Sequence, residues 1–367
     1  MVADLKNEKV LVTGGTGFVG CRLVERLFLE CKADVRVLVH NWASASWAAR
    51  LPVDLAQGDV TDYSSVLAAA EGCSVIFHLA SGPGAEGDYR ATHVDGTRNV
   101  LQAARELGTD RVVHVSSVVV HGPDTDGTLT EDYPFIRTGR AYADTKIEAE
   151  EIVSSFLEKH GLPVTVLRPT FIWGPRGGQF TLGVIRAMRD GTFALLDQGR
   201  AKCPAVYVDN LVDAMLLAAV KDEAVGESFL VADSEDRTWR EYFDEYTGMI
   251  GMSRLRSIPA SAWYVERAAW LIDRLGDIGI LLGGNPAPIW RRAIRRAARE
   301  LLQWLGRRGI PASWHLKIYS RTGGVSIAKA RRLLGYQPRV SLSEGMAATE
   351  AWLRDQWPQI MELPDAD

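Results

Sequence analysis

The feature that most constrains this chain is a run of glycines close to its start. Val10, Leu11 and Val12 form a short apolar run, which favours a strand buried on both faces of a parallel sheet. Residues 14–20 then read GGTGFVG, and apolar residues return at helical spacing as far as Leu27. The order predicts a strand, a tight turn and a helix.

The glycines of this turn have a physical purpose if a diphosphate binds there. They permit a sharp reversal with positive φ, close approach of the backbone to phosphate, and tight packing of helix on strand. The helix N-terminus adds free N–H groups and the positive end of its dipole. The pattern G-x-G-x-x-G over residues 15–20 therefore predicts a dinucleotide site. We expect these residues to line it: Gly14, Thr16, Gly17, Phe18, Val19 and Gly20.

Composition narrows the class of protein. A chain of 367 residues with 47% hydrophobic and 24% charged residues is typical of a soluble globular protein. Its formal charge of −4 argues against nucleic-acid binding. The cysteines show neither pairing nor metal-ligand spacing, so we expect reduced thiols and no metal. Without a signal-peptide pattern or a long apolar run, the sequence predicts a cytoplasmic protein.

Strands and helices alternate along the first half of the chain. Apolar runs at 34–39, 75–80, 111–117 and 163–167 are separated by helical patterns, which predicts an α/β fold with a doubly wound parallel (Rossmann) sheet. The rhythm breaks after residue 175. We therefore predict a dinucleotide-binding domain over 1–175, to which 205–232 return. Residues 176–204 and 233–367 are expected to form a smaller, discontinuous substrate-binding region.

The end of the second predicted strand bears on the choice of coenzyme. An acidic residue there would hold the ribose hydroxyls of NAD, whereas a basic residue would accept the 2′-phosphate of NADP. The sequence reads Val39-His40-Asn41, which supplies neither. We expect His40 and Asn41 to contact the coenzyme. The choice between NAD and NADP stays open, with a lean toward NADP.

Ser117, Tyr142 and Lys146 form the candidate catalytic set. Tyr142 and Lys146 are four residues apart, on one face of a predicted helix, and an ammonium group nearby favours the ionised phenol. Such a tyrosine can exchange a proton with a hydroxyl or carbonyl while a nicotinamide exchanges hydride. Ser117 ends a strand and can bond the same oxygen. Each element is common alone, but their order after a glycine turn predicts a dehydrogenase site.

Further motifs occur along the chain in a characteristic order. They are GDVTD at 58–62, FHLAS at 77–81, VDGTRNV at 94–100, VSSVVVHG at 115–122, YADTK at 142–146, RPTFIWGP at 168–175, YVDN at 207–210 and a C-terminal segment at 326–346. With the glycine turn, they make the chain resemble the extended short-chain dehydrogenases/reductases over nearly its whole length. The resemblance implies that Ser117, Tyr142 and Lys146 are catalytic, and that Lys146 contacts the nicotinamide ribose. It also implies further coenzyme contacts at Asp59, Val60, Leu79, Ala80, Ser81, Pro169, Thr170 and Phe171.

Two histidines depart from that family pattern. His93 stands where the family commonly has asparagine, and His121 stands where a tyrosine is common. Together with Arg176, they are candidate substrate contacts. A structural role for His121 is an equal alternative.

Within the family, the chain looks most like the 3β-hydroxysteroid dehydrogenase and dihydroflavonol reductase branch. That branch interconverts alcohols and ketones on small, often apolar molecules. The first alternative is a nucleotide-sugar epimerase or dehydratase, in which Arg176 and Arg186 hold a diphosphate. The second, from another class, is a non-catalytic protein that binds NAD(P) as a sensor.

The last expectations concern partners. Residues 259–318 form a Trp- and Arg-rich insertion, and 290–305 have the pattern of a basic amphipathic helix. This helix is expected either to cover the substrate cleft or to contact an anionic membrane. The family resemblance also implies a homodimer built on two helices. Their apolar positions are Val100, Leu101, Ala104, Ile147, Ile152 and Val153, which can alternatively face the sheet.

Overall fold

The computed structural model describes residues 4–82, 89–123, 127–233, 237–259, 267 and 313–361. The predicted basic helix at 290–305, and nearly all of the insertion that contains it, lie outside the described residues. Among the described residues, no helix has the length and apolar character needed to span a membrane.

Seven parallel strands form the central sheet, in the order β10-β6-β5-β4-β1-β2-β3. Each neighbouring pair is parallel. The predicted doubly wound parallel sheet is therefore confirmed. The strands of the described residues are β1 Lys9–Thr13, β2 Asp34–Val39, β3 Asp54–Gln57, β4 Val75–His78, β5 Arg111–Val115, β6 Val164–Pro169, β7 Phe171–Trp173, β8 Leu195–Leu196, β9 Ala205–Tyr207, β10 Ser228–Val231 and β11 Ser257–Ile258.

Helices cover both faces of this sheet. The helices of the described residues are α1 Phe18–Leu29, α2 Tyr63–Ala70, α3 Gly96–Leu107, α4 Ala141–His160, α5 Val184–Arg189, α6 Val208–Val220, α7 Trp239–Met249, α8 Ser313–Ser320, α9 Leu342–Gln356 and α10 Pro358–Met361. Successive strand residues point to opposite faces. Val10 and Val12 of β1 accordingly pack with α1 and α6, whereas Leu11 packs with α2, α3 and α4. Both faces are buried, which explains why β1 is apolar throughout.

A second core is built largely from aromatic side chains. Two small parallel sheets, β7 with β9 and β8 with β11, lie beside α7 and α9. Trp173, Tyr207, Trp239 and Tyr242 are buried there and contact one another through their rings. Capping boxes begin α7 and α9, so the chain enters both helices at defined points. The domain boundaries expected from the sequence stay a prediction.

One irregular turn leads into α3. Residues Ala91–Asp95 form a π-helical turn, in which the amide of Gly96 donates to the carbonyl of Ala91. A π turn accommodates one residue more than an α turn and is common at functional sites. It buries His93 at the beginning of the helix.

The apolar residues proposed for a dimer face have other neighbours. Val100, Leu101, Ala104, Ile147 and Val153 are buried in the protomer core, and Ile152 packs against the same core. On α4, Glu148 and Glu151 pair with Arg90 and Arg137 instead. These apolar residues face the sheet, so the homodimer stays a prediction without their support.

Candidate active site

The candidate site lies at the carboxyl ends of the central strands. The chain leaves β1 toward one side of the sheet and later builds β4 on the other side, so the strand order reverses between them. Ligands of open α/β sheets bind at such a reversal. The glycine turn follows β1, and Leu79–Ser81 follow β4.

Steric contacts explain the glycines of this turn. Gly14 has φ +70°, and a Cβ there would lie 2.8 Å from the amide nitrogen of Ala80. A Cβ on Gly20 would lie 2.2 Å from the carbonyl oxygen of Gly14. Gly17 begins α1 without a side-chain cap, and the first turn contains no acidic residue. The turn and its free amides therefore fit the pyrophosphate of a nicotinamide dinucleotide.

Four of the predicted residues lie together at the end of the site that is expected to hold the adenosine. His40 Nδ1 lies 2.8 Å from a carboxylate oxygen of Asp59, and Ser44 donates to the hydroxyl of Thr16 at 3.2 Å. The Asn41 side chain accepts from the amide of Ala43. These contacts include neither a carboxylate free for a ribose nor an arginine for a 2′-phosphate. The geometry here leaves the coenzyme preference open.

At the opposite end of the site, hydrogen bonds join the residues at the carboxyl ends of neighbouring strands. The amides of Leu79 and Ala80 donate to the carbonyl and hydroxyl of Thr13, at 3.1 and 3.3 Å. Thr170 donates from its hydroxyl to Val231, and Phe171 packs against Phe180 with ring centroids 4.8 Å apart. Pro169 ends β6 directly before them. Val60 is buried beside Asp59, and its carbonyl accepts from the Asn99 side chain.

The structure brings Ser117, Tyr142 and Lys146 together. Ser117 follows β5, and the other two residues lie on successive turns of α4. Ser117 and Ser81 both lie close enough to the Tyr142 hydroxyl to lower the pKa of Tyr142. Although 36% of Tyr142 is exposed, burial around its hydroxyl raises the pKa of Tyr142, and hydroxyl donors act against that rise.

Lys146 is buried beneath this tyrosine. Its ammonium group donates to the carbonyl of Val115 at 2.9 Å, at the end of β5. Burial lowers the pKa of Lys146 to about 8, and the negative charge of Glu150 opposes this shift. The pKa of Lys146 therefore lies close to neutral pH, where a small change in its surroundings alters its charge.

His93 lies next to the same tyrosine. Its Nε2 is 2.9 Å from the Ser81 hydroxyl, and its Nδ1 is 2.9 Å from the hydroxyl of Thr145. The His93 and Tyr142 rings meet edge to face, with centroids 5.4 Å apart. The π turn before α3 therefore delivers an imidazole to the candidate site.

One turn further along α4, Glu150 joins a different polar cluster. It forms a buried ion pair with Arg168 at 2.7 Å and accepts from Ser116 at 2.5 Å. Arg168 also donates to Nε2 of His121 at 3.2 Å, while Nδ1 of His121 faces the carbonyl of Pro134. His121 is fully buried with both nitrogens engaged. These contacts favour its structural role over substrate contact.

Arg176 lies away from this cluster. Its guanidinium is 4.4 Å from the centre of the Trp47 ring, on the segment after β2. It also lies close enough to Cys21 in α1 to oppose the burial that raises the pKa of that thiol. These contacts lie beside α1 and the segment after β2. Substrate contact by Arg176 stays a prediction.

Sequence reasoning missed several partners in this site. Ser81 was expected only to flank the coenzyme, but it also contacts Tyr142 and His93. Thr145 was not singled out, although its position three residues after Tyr142 places both on one helix face. The pairing of Glu150 with Arg168 joins distant segments and leaves no local pattern.

Comparison with known proteins identifies the family to which this chain is similar. Residues 10–232 match the NAD dependent epimerase/dehydratase family. The chain is 30% identical to a 2-alkyl-3-oxoalkanoate reductase from Stenotrophomonas maltophilia, over 94% of this chain and 98% of that protein. It is also 30% identical to a 3β-hydroxysteroid dehydrogenase/Δ5→4-isomerase from Mycobacterium tuberculosis, over 92% of this chain and 88% of that protein.

A solved structure agrees on the fold. The dTDP-glucose 4,6-dehydratase from Streptomyces venezuelae, solved with NAD, superposes with a TM-score of 0.69, at 22% identity. The alignment covers 96% of this chain and 98% of that one. A glycine turn beside a Ser-Tyr-Lys set defines a class of dinucleotide-dependent enzymes.

The chain belongs to the NAD dependent epimerase/dehydratase family. It is an NAD(P)-dependent oxidoreductase of the extended short-chain dehydrogenase/reductase type, and its similarity to 3β-hydroxysteroid dehydrogenases confirms the predicted branch.

Proposed function

We propose that this protein interconverts a secondary alcohol and a ketone on a small apolar substrate, with Tyr142 as the proton-transferring group. One observation carries the proposal: Ser117, Ser81 and His93 lie around Tyr142, and Lys146 is buried one turn further along the same helix. The nicotinamide, when bound, supplies or accepts the hydride. In reduction, Tyr142 gives its proton to the carbonyl oxygen, which Ser117 orients. Lys146 supplies the positive charge that steadies the phenolate left behind.

Aromatic side chains near the tyrosine support an apolar substrate. The Tyr89 ring lies 5.5 Å from that of Tyr142 in edge-to-face contact, and a second aromatic pair, Phe171 with Phe180, follows the end of β6. The names of the two relatives, a 3-oxoalkanoate reductase and a hydroxysteroid dehydrogenase, agree with a carbonyl-reducing site for such substrates.

The arginines argue against the nucleotide-sugar alternative. Arg176 stacks on Trp47, and Arg186 lies 5.5 Å from the ring centre of Trp357. Both guanidinium groups proposed to hold a diphosphate therefore lie against indole rings. We also propose a preference for NADP, because no acidic side chain follows β2 and Asp59 is occupied by His40. Comparing KM for NADPH and NADH tests this preference.

The decisive experiment measures oxidation of NADPH and NADH with a panel of apolar ketones and 3-oxo acids. Tyr142→Phe should lower kcat by about 10² to 10⁴ while leaving coenzyme affinity nearly unchanged, because it removes only the proton donor. Tyr63→Phe is a matched control, since its hydroxyl donates to Glu106 in an exposed contact between α2 and α3, outside the candidate set.

Two results would contradict the proposal. Near-normal turnover by Tyr142→Phe would remove Tyr142 from the chemistry. Tight coenzyme binding without turnover on any carbonyl of the panel would favour the coenzyme-sensing alternative.

A further inference from the structure

Arg176 occupies a backbone position that glycine usually fills. The amide of Gly177 donates to the carbonyl of Gly174 at 3.0 Å, which closes a tight turn over 174–177. Pro175 stands at the second position of this turn, and Arg176, at the third, has φ +71°. Glycine is favoured there because a Cβ is disfavoured at positive φ. An arginine held in this conformation indicates a function for its side chain.

The Arg176 side chain reaches the segment after β2, which is distant in sequence. Its guanidinium lies 4.4 Å from the centre of the Trp47 ring. Three residues before Trp47, the hydroxyl of Ser44 donates to that of Thr16 in the glycine turn at 3.2 Å. Ser44 therefore joins this segment to the glycine turn, and Arg176 lies against the same segment.

This segment is where a dinucleotide fold distinguishes NADP from NAD. An acidic residue after the second strand binds the ribose hydroxyls of NAD, and an arginine nearby accommodates the 2′-phosphate of NADP. Residues 40–53 contain no acidic residue, and their one arginine is Arg50. The carboxylate of Asp59 lies 2.8 Å from His40. Arg176 therefore supplies this segment with a guanidinium that its own sequence does not predict.

The guanidinium of Arg176 can still bind an anion. Stacking on an indole uses the face of a guanidinium and leaves the N–H donors at its edge. The nearby thiol of Cys21 is neutral, because burial raises its pKa. Glu25, one turn after Cys21, pairs with Arg22 at 2.6 Å. In the described part of the chain, no carboxylate forms an ion pair with Arg176.

We propose that Arg176 determines the preference for NADP by binding the 2′-phosphate through the edge of its guanidinium, while Trp47 supports the face. A phosphate monoester is largely a dianion at neutral pH, and the planar guanidinium can bind it through two parallel N–H···O bonds. NAD has a hydroxyl in place of this phosphate and lacks the charge that Arg176 would bind. The inference rests on the proposed function for its preference for NADP, and it names the side chain that causes the preference.

The test measures binding to the full-length protein by calorimetry, without substrate. The wild type should bind NADPH more tightly than NADH, and 2′,5′-ADP more tightly than 5′-AMP. The second pair contains neither nicotinamide nor pyrophosphate, so it isolates the 2′-phosphate. Arg176→Met should weaken NADPH and 2′,5′-ADP by about ten- to a hundredfold, as expected for a hydrogen-bonded charge pair, and should leave NADH and 5′-AMP within about twofold.

Two further arginines serve as comparisons. Arg186→Met is the matched control, because it also removes a guanidinium from an indole ring, that of Trp357 at 5.5 Å. Arg50→Met removes the arginine that belongs to the segment itself. Both variants should keep the preference for NADPH and for 2′,5′-ADP. Arg176→Gly suits the positive φ, so it repeats the test if Arg176→Met does not fold.

Several results would overturn the proposal. They are a wild type that binds NADH as tightly as NADPH, an Arg176→Met protein that retains the preference, and equal losses for both coenzymes. Equal losses would show that Arg176 contacts a part that the coenzymes share or supports the fold. Loss of the preference in Arg50→Met alone would transfer the phosphate to Arg50. A Tyr142→Phe enzyme with normal turnover would refute the proposed function without changing any of these affinities.

Discussion

Helix α4 carries two buried polar clusters that are satisfied in opposite ways. The tyrosine cluster, at its N-terminal end, consists of the neutral groups Ser81, His93, Ser117, Tyr142 and Thr145. Hydrogen bonds join Ser81, His93 and Thr145, and the Tyr142 ring meets that of His93 edge to face. The arginine cluster, one to two turns later, consists of Ser116, His121, Glu150 and Arg168 around a buried ion pair. Lys146 lies between them, with its charge unmatched by a direct ion pair in the described contacts.

The contrast separates adjustable groups from fixed ones. In the tyrosine cluster, hydroxyl protons can turn between partners, so the state of the phenol can change without moving the backbone. The arginine cluster has fixed charges, and it also binds the carbonyls of Glu131 and Pro134. It therefore attaches the segment before α4 to the sheet. One helix thus combines a site for proton transfer with a rigid support.

The largest expected effect breaks the arginine cluster. Glu150→Gln removes the negative partner of Arg168, whose side chain is only 6% exposed, and leaves a buried cation. Breaking a buried pair in this way costs about 3 to 5 kcal/mol of unfolding free energy, which urea denaturation measures.

Glu151→Gln is the matched control for that change. Glu151 is the next residue, pairs with Arg137 at the surface and is 52% exposed. Its loss should cost about 0 to 1 kcal/mol. Equal losses in the two variants would show that the arginine cluster does not stabilise the fold.

The next effect is a gain in stability, caused by removing the buried charge of Lys146. The pKa of Lys146 is lowered from 10.5 to about 8 in the folded protein. Between these pH values the unfolded chain binds a proton that the folded protein does not, so the unfolding free energy should rise with pH. The rise from this group approaches about 3 kcal/mol. Lys146→Met should lack this rise. The unfolding free energy of Lys146→Met minus that of the wild type should therefore be larger at pH 7 than at pH 10. A constant difference between the two proteins across this range would contradict the prediction.

The smallest expected effect is a loss of stability at acid pH that is caused by His121 in the arginine cluster. Burial and the charge of Arg168 lower the pKa of His121 from 6.5 to about 4. As pH falls through this window, the unfolded chain gains a proton first, so stability is lost. His121 accounts for about 2 kcal/mol of that loss at pH 5. His121→Gln keeps an acceptor for Arg168 and should show a correspondingly shallower loss in urea titrations at pH 7 and pH 5. Parallel curves for the two proteins would exclude His121 as a source.

Much of the fold and of the candidate set was predictable because it depends on local patterns. Strand periodicity and the glycine turn indicate the parallel sheet, and the spacing of Tyr142 and Lys146 indicates one helix face. The contacts of Ser81 with His93, and of Glu150 with Arg168, join segments that are far apart in sequence. No periodicity encodes such pairs. His121 illustrates the same limit, because its role depends on its burial and on Arg168 rather than on its position after a strand.

The π turn at Ala91–Asp95 has a consequence for how this stretch of sequence is compared with others. The extra residue shifts the phase of the helix by about 100° between Tyr89 and α3, because each helical residue turns through that angle. A single helical wheel drawn through both parts assigns one of them to the wrong face. A protein with a regular α turn here would need one residue fewer. Deleting a residue from 91–95 would rotate His93 away from Ser81 while leaving α3 in register with the sheet. The position of the imidazole in this site therefore depends on the π turn as well as on the identity of residue 93.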